Sequence, residues 1–240
     1  MPHGRDTTYV AFVPGFMQRG DAWAPVAARL GRRMPTATVD FTTPTLDACL
    51  GAIRAAGAGG VVVGYSMGGR LALRGALREP ALYRGLVLVG ATPGIEDDAL
   101  RRSRRAADAE LADWIEAARI DAVVDHWESQ PIFASQSPKL VAQQRRSRLT
   151  HDPRQLAQML RATGQGVLEP VWDDLYKLAM PVLAVAGEQD AKYAEIAERM
   201  ATQLPRGRAV IVPGAGHAVH LEQPDVFGDL LLEFLDQDLG

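Results

Sequence analysis

One cysteine, Cys49, stands in 240 residues. A lone thiol excludes an internal disulfide framework, and no cysteine and histidine grouping has the spacing of a zinc site. No window approaches about 18 uncharged apolar residues, so no membrane span is expected. Neither sign of charge dominates. The formal net charge is −3 and the isoelectric point is near 6.0, a balance that calls for neither nucleic acid nor an anionic membrane surface as partner. The N-terminal run Met1-Pro2-His3-Gly4-Arg5-Asp6 lacks the apolar stretch of a signal peptide. These absences leave a soluble, cytoplasmic, globular protein as the expectation, with no metal or cofactor required.

Hydrophobic residues make up 47% of the chain, enough for one sizeable core in a single domain over 1–240. Short apolar runs alternate with longer helical stretches. Tyr9 to Val13, Ala37 to Phe41, Gly60 to Val63 and Leu86 to Val89 read as strands. Ala22 to Leu30, Leu46 to Ala56 and Gly69 to Leu77 read as the helices between them. The apolar runs do not alternate with polar residues, as suits strands covered on both faces. Such β and α alternation predicts a doubly wound, mostly parallel sheet with right-handed crossovers. The alternation stops after the strand ending near Val89. From about 95 to 167 the chain is helical and arginine-rich, and reads as a cap inserted over the C-terminal edge of the sheet, where open α/β sheets bind ligands. Strands return at Pro181 to Ala186 and Arg208 to Val212, with helices over Tyr193 to Gln203 and Pro224 to Leu235.

Gly64-Tyr65-Ser66-Met67-Gly68 falls between a buried strand and a helix. In such a turn the serine is exposed at a sharp bend, and a Cβ at either glycine would crowd the neighbouring backbone. A serine hydroxyl needs a histidine to take its proton and a carboxylate to orient that histidine. Asp190 and His217 each lie in a loop directly after a strand, in the order this geometry requires. Glu188 competes with Asp190, and His220 with His217. His3, His126 and His151 lack a strand end. Backbone N–H groups of Met67 and Phe16 are the expected donors to a developing oxyanion.

The pattern resembles the nucleophile elbow of the α/β-hydrolase fold. More narrowly, the run Gly64 to Leu73 is similar to the elbow of the 2-succinyl-6-hydroxy-2,4-cyclohexadiene-1-carboxylate synthases of menaquinone biosynthesis. Trp127-Glu128-Ser129-Gln130-Pro131-Ile132-Phe133 resembles that family's Trp-x-x-Gln-Pro-x-Phe stretch. The loops Gly187 to Tyr193 and Ala215 to His220 resemble its acid and histidine loops. The resemblance implies a lyase that eliminates pyruvate from 2-succinyl-5-enolpyruvyl-6-hydroxy-3-cyclohexene-1-carboxylate, with Ser66 as a base within a Ser66–His217–Asp190 triad. It also implies that Arg70, Arg104 and Arg148 meet the carboxylates of a small polycarboxylate substrate, with Trp127 and Tyr65 lining the pocket. Arg101, Arg102, Arg105, Arg145 and Arg146 crowd the same stretches. One departure stands out: the family usually has His-Gly-Phe after the first strand, and here it is Pro14-Gly15-Phe16. Two other readings stay open at this point. One is a serine hydrolase, either a carboxylesterase or a carbon–carbon bond hydrolase. The other is a receptor-like binding protein on the same fold. The oligomeric state is not legible.

Overall fold

A computed structural model describes residues 9–31 and 34–239. His3 and the rest of the N-terminal hexapeptide lie outside the described residues. Six strands form one sheet in the order β2-β1-β3-β4-β5-β6, with every pair parallel. They are β1 Val10–Val13, β2 Thr36–Thr38, β3 Val61–Tyr65, β4 Gly85–Val89, β5 Val182–Gly187 and β6 Gly207–Val212. Alternate residues of one strand enter different cores. Val62, Leu86, Leu88, Val182 and Ala184 pack on one face, with Leu71 and Leu73. Val61, Val63, Val87, Val89, Leu183 and Val185 pack on the other, with Phe12, Trp23 and Phe227. The four inner strands β1, β3, β4 and β5 therefore bury both side-chain sets, which is why their sequences are continuous apolar runs, while the edge strands β2 and β6 stay partly exposed.

The helices on the first face are α2 Leu46–Gly57, α3 Met67–Arg78 and α8 Ala191–Gln203. On the second face α1 Ala24–Leu30 packs against α10 Pro224–Gln237, with the short α9 Val219–Glu222 beside them. Most boundaries shift by one or two residues from the sequence reading, and two of the shifts have a local cause. The expected strand from Ala37 to Phe41 begins earlier and closes at Thr38. Its continuation turns away, because the Asp40 carboxylate accepts the Gly20 N–H at 3.3 Å. The expected helix from Ala22 starts as a 3-10 turn over Gly20–Trp23 and becomes α-helical at Ala24, just before Pro25.

Between β4 and β5 the chain forms α4 Asp98–Ala117, α5 Ile120–Glu128, α6 Pro138–Arg148 and α7 Pro153–Thr163. Three of these helices start on side-chain caps that satisfy otherwise orphaned N–H groups. Asp97 caps α4, Ser137 caps α6 and Asp152 caps α7. The insertion has its own small core of Ala112, Ile115, Val123, Val124, Leu156 and Ala157. Met17, from the loop after β1, is part of that core and ties the insertion to the sheet edge. Among the described residues no helix is long and apolar enough to cross a membrane.

Candidate active site

Ser66 occupies the single residue between β3 and α3, with φ 49°. Only one other described non-glycine residue has a positive φ, Met17 at 58°. A side chain in this region costs on the order of 1–3 kcal/mol and persists only where its surroundings impose it. At Ser66 the imposition is steric. A Cβ on Gly64 would sit 2.7 Å from Gly69 Cα, and one on Gly68 would sit 2.4 Å from the Pro14 carbonyl oxygen. The two glycines thus let α3 start hard against the end of β3 and the loop after β1.

The β5 and β6 loops bring the partners to this turn. Asp190 Oδ2 lies 2.6 Å from His217 Nδ1, and His217 Nε2 lies 3.2 Å from Ser66 Oγ. With Asp190 ionised, Nδ1–H donates to it, and Nε2 is left as the acceptor facing the serine. The histidine loop is strapped on both sides. Glu222 accepts the Gly216 N–H at 2.8 Å and the Ala218 N–H at 3.0 Å. Glu188 accepts the Gly214 N–H at 2.9 Å, so the rival carboxylate holds the loop backbone, while Asp190 takes the ring. His220 is fully buried, stacks on Trp23 at 4.1 Å and packs tilted against Tyr65 at 4.5 Å. Burial pushes its pKa down to about 3, so it is a neutral packing ring. His126 meets Gln130 and Trp114 away from the serine. His151 borders a separate small cavity, and burial lowers its pKa to about 4.

Phe16 and Met67 both border the space in front of Ser66. Among the described residues neither of their N–H groups is spent on another acceptor. The loop after β1 that carries Phe16 is braced without the family's usual histidine. Gly15 N–H donates to Gln18 Oε1 at 3.2 Å, and Gln18 N–H donates to the Gly15 carbonyl at 3.2 Å. Gln18 therefore takes over the bracing, and the Pro14 carbonyl packs on the elbow.

A cavity of about 510 Å³ lies between the sheet edge and the inserted helices. Ser66, His217, Asp190, Phe16, Met67 and Tyr65 form its floor, while Arg70, Arg104, Arg148 and Trp127 form its walls. All ten sequence-predicted residues thus meet on one cavity. Trp127 packs edge-on to Phe16 at 5.1 Å and against Phe133 at 5.5 Å. Tyr65 is buried, which raises its phenol pKa well above the ordinary value. The three arginines are not equivalent. Arg104 pairs with Asp108 at 2.7 Å, and Arg148 pairs with the partly buried Glu128 at 3.0 Å. Arg70 is 8% exposed and has no carboxylate partner among the described residues. Its Nη2 donates to the Thr163 carbonyl at 3.1 Å, and its Nε is unpartnered. Burial lowers its pKa to about 10, so it remains charged at neutral pH. A buried cation without a counter-charge is costly. Two of the crowding arginines are engaged elsewhere: Arg101 turns to Asp98 and Glu169, and Arg145 to Asp125 and to Glu128, which it shares with Arg148.

Residues 10–230 match the alpha/beta hydrolase family. The chain belongs to the alpha/beta hydrolase family. Among named relatives, a Bacillus subtilis protein provisionally named 2-succinyl-6-hydroxy-2,4-cyclohexadiene-1-carboxylate synthase is 39% identical over 72% of this chain and 65% of its own length. The synthase of that name from Salmonella typhimurium is 33% identical over 72% of this chain and 67% of its own. The matched region spans about two thirds of the length of these relatives. The structure of MenH from S. aureus superposes on this alpha/beta hydrolase with a TM-score of 0.88 at 26% identity, covering 98% of this chain and 95% of that one. An esterase from Thermogutta terrifontis shares the fold, with a TM-score of 0.79 at 20% identity over 97% of this chain and 91% of that one. The resemblance read from the elbow and the cap tryptophan segment therefore stands.

Sequence reasoning passed over several residues of the same cavity. Gln165, Lys192 and Tyr193 line it, and Glu222 holds the histidine loop. Lys192 and Tyr193 fall within the acid-loop segment, so their proximity to Asp190 was available as a signal. Gln165 had none, since it follows α7 in a turn whose path depends on tertiary packing.

Proposed function

We propose that this alpha/beta hydrolase is a carbon–oxygen lyase that eliminates pyruvate from 2-succinyl-5-enolpyruvyl-6-hydroxy-3-cyclohexene-1-carboxylate, acting in the cytoplasm. The single observation that carries the reading is Arg70: a buried, unpaired guanidinium in the same cavity as the Ser66–His217–Asp190 chain. A site for neutral acyl esters gains nothing from such a cation, whereas a substrate with three carboxylates supplies the missing charge. The named relatives agree with it.

In this reaction His217 Nε2 takes the Ser66 hydroxyl proton, and the serine oxygen removes a ring C–H proton beside the succinyl carbonyl. The C–H electrons form an enolate. Its oxygen accepts the N–H groups of Phe16 and Met67, donors each worth about 3 kcal/mol in comparable sites. The enolate then collapses to a C2=C3 double bond, the ring double bond shifts from C3=C4 to C4=C5, and the enolpyruvyl oxygen leaves C5 with the displaced electron pair. The leaving group takes up a proton and ketonises to pyruvate, and His217 ends neutral. Asp190 holds the ring and balances its charge while it carries the serine proton. Arg70, Arg104 and Arg148 orient the carboxylates so that the reacting C–H meets Ser66.

The test is to supply the enolpyruvyl precursor and follow pyruvate release, with Ser66→Ala as control. The lyase reading expects release by the wild-type protein and a loss of at least about 10⁴-fold in kcat for the variant. Rapid cleavage of p-nitrophenyl acetate with no pyruvate release would establish a serine hydrolase instead.

A further inference from the structure

Tyr193, at the start of α8, was assigned no part in the reaction above. Its surroundings fix the direction of its hydroxyl. Arg104 Nη1 donates to Gln165 Oε1 at 3.4 Å. A guanidinium has no acceptor and does not lose its proton, so it can only donate. The Gln165 amide is thereby oriented with its oxygen toward Arg104 and its NH₂ toward Tyr193. Gln165 Nε2 then donates to Tyr193 Oη at 2.9 Å. A phenol carries one proton, and an oxygen that accepts from an amide must send that proton elsewhere. Tyr193 is 5% exposed and Gln165 is 8% exposed, so the proton has only the cavity to face. Both side chains line the main cavity, and no acceptor for the hydroxyl stands among the described residues.

The surroundings on the cavity side are cationic. Tyr193 is close enough to Arg70 to head the charge effects on that guanidinium, after burial. Its ring packs against His217 at 4.6 Å. Arg104 itself is anchored at its other edge by Asp108 at 2.7 Å, and Asp108 also accepts the Gly166 N–H at 3.5 Å. The donor chain thus begins at Arg104, which the Asp108 carboxylate of α4 holds, and ends on a free O–H beside the triad.

From this order of donors we infer that Tyr193 is a substrate-binding hydrogen-bond donor, whose O–H is aimed by Arg104 through Gln165 at a carboxylate oxygen shared with Arg70. The inference rests on the polycarboxylate reading of the cavity. Gln165 is the positioning residue. It touches no reacting atom, and its amide sets which way the phenol proton points.

The experiment compares wild-type protein with Tyr193→Phe, Gln165→Glu and the double variant. In Gln165→Glu one carboxylate oxygen keeps Arg104 and the other accepts the tyrosine proton, so the hydroxyl turns away from the cavity with its ring in place. Each single variant is expected to raise KM for the enolpyruvyl tricarboxylate about tenfold, the effect of one hydrogen bond to a charged group, with kcat changed far less. The double variant is expected to be no worse than either single one, because both remove the same bond. A Tyr193→Phe variant with wild-type KM, or fully additive losses, overturns the assignment. A second readout is independent of turnover. In protein labelled with 13C at tyrosine Cζ, the Tyr193 resonance should move in Gln165→Glu, where the hydroxyl changes from acceptor to donor at that contact. An unmoved resonance overturns the donor order whatever the kinetics show. A wild-type protein that releases no pyruvate overturns the proposed reaction instead, and leaves the donor order to the resonance.

Discussion

The floor and the walls of the cavity are built on different principles. On the floor, backbone geometry places the reactive groups. Ser66 is fixed by a one-residue turn between strand and helix, and His217 by a loop whose N–H groups are held at 2.8 and 3.0 Å by Glu222. On the walls, side chains hold side chains. Arg148 is set by Glu128 and by the face of Phe133 at 5.7 Å, and Arg104 by Asp108. Of the three cavity arginines, Arg70 alone projects from α3, within the floor's own scaffold, and alone lacks a counter-ion among the described residues. Backbone placement gives the precision a proton transfer needs, while ion pairs between the inserted helices set the charges that select a ligand.

The comparison is broken most severely by exchanging the two kinds of arginine. Arg70→Met should lower kcat/KM for the tricarboxylate by about 10²-fold or more, as expected for a desolvated charge pair lost from a site. The same change should raise thermal stability by about 1 kcal/mol, since it removes a buried unpaired charge. Arg148→Met should act oppositely on the fold. It strips Glu128 of one of its two partners and should lower stability by roughly 1–3 kcal/mol. Kinetics and thermal melts on both variants check the pair of signs. If both variants are destabilised alike, the distinction between them is lost.

A smaller effect probes the floor alone. Glu222→Ala leaves the N–H groups of Gly216 and Ala218 without acceptors and loosens His217. It should lower kcat about tenfold, on the order of the 1–3 kcal/mol such groups cost, with KM for the tricarboxylate nearly unchanged. Glu222→Gln, which keeps one acceptor oxygen, should fall between. A variant that raises KM and spares kcat would place Glu222 with the walls.

These contrasts also explain what was legible in the sequence. The floor was legible because steric rules leave few choices. Gly64 and Gly68 have no room for a Cβ, and strand ends put Asp190 and His217 beside Ser66 in any chain that winds this way. The sheet was legible for a related reason, since strands buried on both faces write themselves as unbroken apolar runs such as Val61 to Val63. The walls were only half legible. The resemblance named Arg70, Arg104 and Arg148, yet local spacing could not tell a paired arginine from an unpaired one. Thr163, Gln165 and Glu128 decide that difference, and they reach it through helix packing rather than through neighbours in the chain. The start of α1 as a 3-10 turn and the early close of β2 were set by Pro25 and by Asp40 reaching Gly20, contacts whose reach exceeds any local window.

The smallest expected effect concerns stability against pH. Burial holds His220 neutral with a pKa near 3 and His151 near 4. In the unfolded chain both take up a proton below their ordinary value of about 6.5. Each depressed base therefore leaves stability intact above pH about 6.5 and removes it as the pH falls below that value, by on the order of 1 kcal/mol per pH unit. Replacing His220 with phenylalanine should flatten the decline of the melting temperature between pH 6.5 and 5. An unchanged slope would mean that the ring is not held neutral by its burial against Trp23 and Tyr65.

The division between floor and walls is tested most directly by one ratio. It is kcat/KM for pyruvate release from the enolpyruvyl tricarboxylate, divided by kcat/KM for cleavage of p-nitrophenyl acetate, measured for wild type, Ser66→Ala and Arg70→Met. The account predicts that Ser66→Ala depresses both activities together, while Arg70→Met lowers the ratio by about 10²-fold. A ratio unchanged by Arg70→Met would contradict it, because the buried cation would then have no part in choosing the substrate.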